Sequence, residues 1–327
     1  MSVKSEASAA GREAGVALII VLWLTVLLTV IGGAFAYAMR TDALAARNAV
    51  SLAQARAVAD GVVERTTYEL LRPRLPMSWK PDGSERRFTD NDFSVVVVTR
   101  DESANIDLNG AAEPLLKGLL MNVGGLDDAQ ASALVDAIVD WRDPDELRRP
   151  NGAEAPEYRA ANSNYTPANA RFETVGEVSR VLGMTPAIYA RIAGVLSVHS
   201  RQSGLNALTA SRDALLALPA ATPELVDDYI ARRSEALAQN LPPPPFPPAQ
   251  GFLAGAGPIW RVRAEATAPD GVTFVREAVV RATADPRRPF YALLWSEGER
   301  APLPKSGSTA SQAATPSVPV ASDARRS

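Results

Sequence analysis

GVALIIVLWLTVLLTVIGGAFAYAM, residues 15–39, carries no charged side chain. As a helix it is about 37 Å long at about 1.5 Å per residue, more than the ~30 Å hydrocarbon core of a bilayer requires. It reads as a membrane span or a cleaved signal, not as a buried core helix. Lys4 and Arg12 are offset by Glu6 and Glu13 before it, and Arg40 and Arg47 follow it, so the Lys/Arg bias sets no orientation. Two processing schemes compete. Ala34-Phe35-Ala36 and Ala36-Tyr37-Ala38 are small-x-small sites for a secretory signal. Alternatively, a cut after Gly15 leaves Val16 at the head of an intact apolar helix.

Beyond Arg40 the sequence stays rich in Ala, Leu, Arg and Glu and free of Pro as far as Leu71. Leu52, Ala55, Ala59, Val62, Thr66 and Leu70 recur at spacings of three and four and predict one aliphatic stripe. Arg56 and Asp60 are placed for an i,i+4 pair on another face. Pro73 ends the element, because the residue before it is pushed out of the α region. The shape implied is one helix, apolar all round over 16–39 and amphipathic over 40–72.

Composition narrows the function. The chain has 327 residues, 46% apolar and 22% charged, with a formal charge of −3, so a sizeable core is possible and no global basic field would hold nucleic acid. Without cysteine there are no disulfides, thiolate metal sites or cysteine nucleophiles. The one histidine, His199, reads as a structural or surface residue. No phosphate-cradling loop, dinucleotide fingerprint or G-x-S-x-G elbow occurs. The residues support no enzyme and no organic cofactor.

Residues 92–99 (DFSVVVVT) predict a buried strand, and 259–267, 272–282 and 289–295 predict three more. Pro269-Asp270-Gly271 joins two of them as a hairpin. A mainly helical block from about Leu108 to Arg233 separates the first strand from the last three, so the helices look inserted into an α+β unit. The run 241–248 (LPPPPFPP) predicts a polyproline spacer, and 297–327, poor in apolar residues, a disordered tail.

Two stretches of the block could carry chemistry. In 136-DAIVDWRDPDELRRPNGAEAPEY-158 seven carboxylates crowd together: Asp136, Asp140, Asp143, Asp145, Glu146, Glu154 and Glu157. Asp136 and Asp140 share a helix face, and Asp143-Pro144-Asp145 breaks that helix into a loop. Oxygen ligands on a loop suit Ca²⁺, although the spacing is not that of an EF-hand. The spacing alone favours neutralisation by Arg142, Arg148 and Arg149 over a metal. The second stretch, 204-GLNALTASRDALLALPAATPELVDDYIARR-233, has a helix-hairpin-helix pattern, with a related unit at 115–142. Its hairpin reads Leu218-Pro219-Ala220-Ala221, with alanines where phosphate-binding glycine amides belong, and Glu224, Asp227 and Asp228 would repel phosphate. Both units read as protein-packing modules. A membrane-tethered, competence-type DNA-binding protein is the alternative from a different class.

Together these residues resemble the general secretion pathway protein K family, the largest minor pseudopilin of bacterial type II secretion. The carrying segments are 15-GVALIIVLWL-24, 105-NIDLNGAAEPLL-116, 140-DWRDPDELRRPNGAE-154 with Tyr158, 173-ETVGEVSRVLGM-184 and 204-GLNALTAS-211. The resemblance implies an α+β, type IV pilin-like fold with a long N-terminal helix and an antiparallel sheet head, plus a large inserted all-helical domain. It implies a leader over 1–15, a transmembrane half-helix over 16–39 and its amphipathic continuation over 40–72. The head would begin at 73–107 and the inserted domain would span 108–203. A second helical hairpin, the spacer and the closing strands would fill 204–296, before the 297–327 tail. Prepilin peptidase would cut between Gly15 and Val16, with N-methylation of Val16, and anchor a periplasmic body in the inner membrane. A non-enzymatic protein at the pseudopilus tip would follow, priming assembly and supporting export, with minor pseudopilins I and J (also H) and the inner-membrane platform as partners and no nucleic acid. Calcium in the helical domain would fall to Asp140, Asp143, Asp145, Glu146 and Glu154. Ordinary pilins carry Glu at the fifth mature position, where this chain has Ile20. That carboxylate pairs with a neighbour further up the fibre, and a tip subunit has none. Glu13-Ala14 also replace the usual basic residue before the cut.

Overall fold

The computed structural model describes residues 10–72, 79–239, 241–247 and 251–299, with side chains from residue 16 onward. Residues 1–9 of the expected leader, Pro73, Pro248 at the end of the spacer and residues 300–327 of the expected tail lie outside the described residues.

A single helix, α1 (Ala10–Leu71), runs unbroken through Gly32-Gly33. Its stretch from Val16 on is long and apolar enough to cross a membrane, and residues 16–50 are all exposed. Thr25 and Thr29 turn their hydroxyls back onto carbonyls of the preceding turn, so neither leaves an unpaired donor. The helix meets the rest of the chain only from about Ser51 on. There Ala55, Ala59, Val62, Val63, Thr66 and Thr67 are buried. Leu52 of the expected stripe stays exposed because it lies below the sheet, and Val63 and Thr67 widen the stripe instead. The expected Arg56–Asp60 pair does not form: Asp60 pairs with Arg276 across the interface at 2.6 Å, and Arg56 lies over the Phe274 ring.

The sheet has five antiparallel strands in the order β1-β2-β5-β6-β7. These are β1 (Asp82–Asp90), β2 (Phe93–Asp101), β5 (Ile259–Thr267), β6 (Thr273–Ala282) and β7 (Phe290–Glu297). Alternation places Phe93, Val95 and Val97 of β2, Val262, Ala264 and Ala266 of β5 and Ala278 and Val280 of β6 against α1. The small residues on both sides let helix and sheet approach closely. The charged edge strand β1 was not expected. The turn that makes it, Asn91-Asp92, has φ of 46° and 69°, the left-handed pair that a tight hairpin needs. Glu297, expected in the tail, belongs to β7, and Gly298 donates its N–H to the Val275 carbonyl.

Neighbours in the sheet, β2 and β5 pair from Ser94↔Thr267 to Asp101↔Trp260, and everything between them is inserted. The insert carries α2 (Glu113–Asn122), α3 (Asp128–Arg142), α4 (Ala155–Ala160), α5 (Pro186–Ile192), α6 (Arg212–Leu216) and α7 (Pro223–Ala238). A two-residue parallel pair, β3 (Ile106–Asp107) with β4 (Leu196–Ser197), ties its start to its middle. One core holds Ile106, Leu115, Leu119, Ile138, Trp141, Tyr158, Leu215 and Tyr229. The hairpin from residue 204, grouped with the closing strands in the sequence reading, therefore packs in the helical core, and only 259–297 completes the head. Ala220 in that hairpin has φ of 61°, so alanine takes the left-handed position that suits glycine. Asp227 and Asp228 pair with Arg212 and Arg232.

Ser51 of α1 touches Asp270 in the β5–β6 turn, and Asp60, further along α1, reaches mid-strand Arg276. The turn end of the sheet thus faces the exposed apolar part of α1. The insert leaves from the opposite end, at Asp101 and Trp260. At this junction Glu102 is fully buried, bonded by Ser197 and by Arg261 at 2.6 Å, and Arg261 also pairs with Glu277 at 2.6 Å. Asp101 accepts from Gly257 and Asn206, both at 3.2 Å.

Candidate metal centre

Helix α3 begins with a capping box, Asp127 with Gln130, and carries Asp136 and Asp140 one turn apart on one face. It stops at Asp143, whose backbone is extended, and the chain loops back over that face. Asp136 anchors the loop: Arg149 Nε donates to its Oδ1 at 2.9 Å, and the Asn151 backbone and amide both donate to Oδ2. Arg149 N–H leans on both oxygens of Asp140 at 3.3 Å. Gly152 crosses so close that a Cβ there would lie 2.0 Å from Asp140 Oδ2. Behind the loop Trp141 stacks on Phe172, and the buried Tyr158 hydroxyl accepts from the Leu182 N–H.

The three arginines neutralise the cluster only in part, reaching two of its seven acids, Asp136 and Glu157. Arg149 serves Asp136 and Glu113, Arg148 takes Glu157, and Arg142 turns away to the Leu108 carbonyl. Among the described residues, no Lys or Arg side-chain nitrogen lies within 4.0 Å of Asp140, Asp143, Asp145, Glu146 or Glu154. These are the five residues that the family resemblance offered as calcium ligands. Glu154 is 3% exposed and its Oε1 has no partner; Asp143 Oδ1 is likewise buried and unpartnered. Asp145 is in part engaged, accepting from the Leu147 N–H at 2.8 Å.

The electrostatics carry the mark of this crowding. Burial, then the negative charges of Asp140, Asp143, Glu146 and Asp145, push the Glu154 carboxyl up to about 6. Burial also raises Asp140 and Asp143, each further raised by an acidic neighbour. Asp136 moves the other way: burial would raise it, but the bonds from Arg149 and Asn151 hold it below the usual carboxylate range. Two buried carboxylate oxygens without a hydrogen-bond or ion-pair partner, in an all-oxygen donor set, suit a hard divalent cation. Among the described residues no three of these side chains converge on one point in ligand geometry. Gly152, Asn151 and the anchoring role of Asp136 escaped the sequence reading; Asn-Gly after Pro150 was their one signal, as a turn.

The other expected site, the Gly15–Val16 bond, lies within the continuous backbone of α1.

A sheet that packs on the second half of a long, initially apolar N-terminal helix, with a helical domain inserted between neighbouring strands, defines a pilin-like head carrying an extra domain. Residues 95–201, which include the carboxylate cluster, match the family model for type II secretion system protein K. Type II secretion system protein K of Klebsiella pneumoniae is 29% identical over 232 residues, covering 63% of this chain and 70% of that protein. The protein K of Dickeya chrysanthemi is 41% identical over 73 residues, 22% of this chain and 20% of that one. The fold is similar to a chain in the crystal structure of the GspK-GspI-GspJ complex from enterotoxigenic Escherichia coli, with a TM-score of 0.56 at 18% identity, over 80% of this chain and 99% of that one. The resemblance carried by the sequence holds: over these residues the chain is similar to type II secretion system protein K.

Proposed function

We propose that the chain is a non-enzymatic minor pseudopilin that caps the tip of the type II secretion pseudopilus. The observation that carries this reading is the position of the insert: it leaves the sheet at Asp101 and Trp260, the end away from the apolar part of α1. In a fibre built from such helices, that end points outward. A domain occupying it closes the fibre to further subunits above and leaves the sides of α1 free for subunits below. In this reading residues 16–39 anchor the precursor in the inner membrane, the body lies in the periplasm, and prepilin peptidase cuts after Gly15. The chain assembles with minor pseudopilins I and J, joins H and the inner-membrane platform, and so primes pseudopilus growth and supports export. The solved complex containing GspI and GspJ supports the choice of partners.

Co-expression of the full chain with minor pseudopilins I and J in membranes tests the assembly: a detergent-stable complex containing all three is expected, and recovery of the chain alone would refute it. Mass spectrometry of the native N-terminus tests the processing. A chain starting at Val16, plain or methylated, is expected; a start at Tyr37 or Met39 would identify a secretory signal instead.

Calcium completes the reading, held by Asp140, Asp143, Asp145, Glu146 and Glu154. A bound divalent cation supplies the counter-charge that no arginine provides, so calcium raises the melting temperature and a chelator lowers it. The calcium-free protein has a defined pH response. Glu154 rises from 4.5 unfolded to about 6 folded, so the folded state holds the extra proton between these values. Stability from this group therefore falls as pH rises through that window and stays lower above it, by about 2 kcal/mol. Glu154→Gln should recover that amount at neutral pH without calcium and blunt the response to calcium. Identical melting curves for variant and parent at pH 5 and pH 7 would contradict the assignment.

A further inference from the structure

We infer that a cleft between the end of α3 and the residues following β3 and β4, lined by Arg142, Arg171 and Arg201, is a docking site for an acidic peptide segment of a partner protein. The cleft has two lobes of about 440 and 420 Å³ that share Asn109, Ala170 and Arg171 in their walls. Arg142 lines the first lobe and Arg201 the second. Its floor is already built. Asn109 donates to the Phe172 carbonyl at 3.0 Å and to the Val198 carbonyl at 3.4 Å, and accepts from the Phe172 N–H at 2.8 Å. Asp107, 0% exposed, accepts from the N–H groups of Asn109 at 2.9 Å, Gly110 at 2.8 Å and Arg201 at 2.9 Å. These bonds hold Arg201 at φ of 55°, a left-handed position uncommon for a long side chain, and fix the walls before any ligand arrives.

Among the described residues no carboxylate oxygen lies within 4.0 Å of the Arg142, Arg171 or Arg201 guanidinium groups. Arg142 is half-buried and spends Nη1 on the Leu108 carbonyl. Burial pulls it below the ordinary guanidinium range, although Asp107, Glu113 and Asp143 act the other way. Asp143 and Glu173 also line the cleft, so its side chains carry one net positive charge. That balance selects an anion and is too small to hold a polyanion such as nucleic acid by charge alone. Each guanidinium fork matches one carboxylate in a bidentate pair, and two lobes in line suit successive carboxylates on an extended chain. Asp143 and Glu173 add acceptors for the backbone N–H groups of a peptide, which a free inorganic anion lacks.

The test uses the full chain in detergent micelles, with fluorescein-labelled hexaglutamate as probe, hexaglutamine as uncharged control and a calcium chelator present. Saturable binding of hexaglutamate and none of hexaglutamine are expected. Arg171→Gln and Arg201→Gln should each weaken binding about tenfold, the loss of one charge-assisted pair. Arg171→Lys should lose less, because the ammonium keeps the charge without the fork. Arg87→Gln removes an exposed arginine on edge strand β1 and should change nothing. Should a glutamine variant melt early, Arg171→Lys and Arg201→Lys carry the comparison, each expected to bind more weakly than the parent. No binding by the parent, equal binding of hexaglutamine, or cleft variants that bind as the parent or Arg87→Gln does would overturn the inference. Displacement of the probe by inorganic phosphate at the probe's own concentration would assign the cleft to a free anion and overturn the peptide. Binding that returns only when the chelator is withdrawn would point to a cation bridging Asp143 to the probe, and would overturn it as well.

Discussion

Arg261→Met should lower the unfolding free energy of the full chain by about 4 kcal/mol, the cost of leaving a buried charge without its partner. Arg261 lies between Glu102 and Glu277, 2.6 Å from each. The two acids differ in what they can do alone. Glu277 keeps part of its side chain in water, whereas that of Glu102 is 0% exposed and, among the described residues, is held by Ser197 and Arg261. Removing the guanidinium strands Glu102 where water does not reach. Denaturant unfolding measures the loss, and a second variant identifies its cause. Glu102→Leu together with Arg261→Met removes the stranded charge and should recover most of the deficit, because replacing both partners by apolar groups is far cheaper than removing one. A single-variant loss below about 1 kcal/mol, or a double variant as weak as the single, would show that the junction is held by something else.

Gly118→Ala is the second large effect, at about 3 kcal/mol. Helix α2 crosses the end of α6 at this residue, and a Cβ would lie 2.2 Å from the Ala217 carbonyl oxygen and 3.0 Å from its carbon. Both atoms are backbone, so no side-chain rotation relieves the overlap and the helices must separate. Gly61→Ala is the matched control. It makes the same chemical change inside exposed α1, where nothing lies within 4 Å, and should stabilise by up to about 1 kcal/mol through helix propensity alone. Opposite signs for the two substitutions in thermal or urea unfolding are the expected result; a shared sign would mean that α2 and α6 do not meet as described.

Much of this architecture is readable from local pattern. The uncharged run and its amphipathic continuation carry the long helix, and the β-branched segment 93–98 and the Pro269-Asp270-Gly271 turn carry three of the strands of the sheet. What escapes is whatever local pattern does not encode. Strand β1, DGSERRFTD, is an edge strand with five charged residues, so its alternation is masked, and only the Asp90-Asn91-Asp92 cluster hints at the turn. The allegiance of the 204–238 hairpin is set by tertiary packing of Leu215, Val226 and Tyr229, which no spacing distinguishes from packing on the sheet. At the candidate centre the acids and two of their arginines were visible, but not which acids those arginines serve. Arg148 and Arg149 sit side by side in sequence and serve different carboxylates, and Arg142 serves none, because helix and loop geometry sends each guanidinium elsewhere.

The insertion between neighbouring strands also has a kinetic consequence. Glu102 and Arg261 are 159 positions apart, and closing an unstructured loop of that length costs about 4.5 kcal/mol plus a constant. A helical domain that folds first meets that cost inside the insert, where Ile106 pairs with Leu196, and delivers both chain ends to one place. The sheet can then zip from the junction outward. On this account the order of events is fixed, with helices before sheet, and a slow step should report on the helical core. A defect such as Gly118→Ala is therefore felt in the pairing of β2 with β5, two strands that Gly118 never touches.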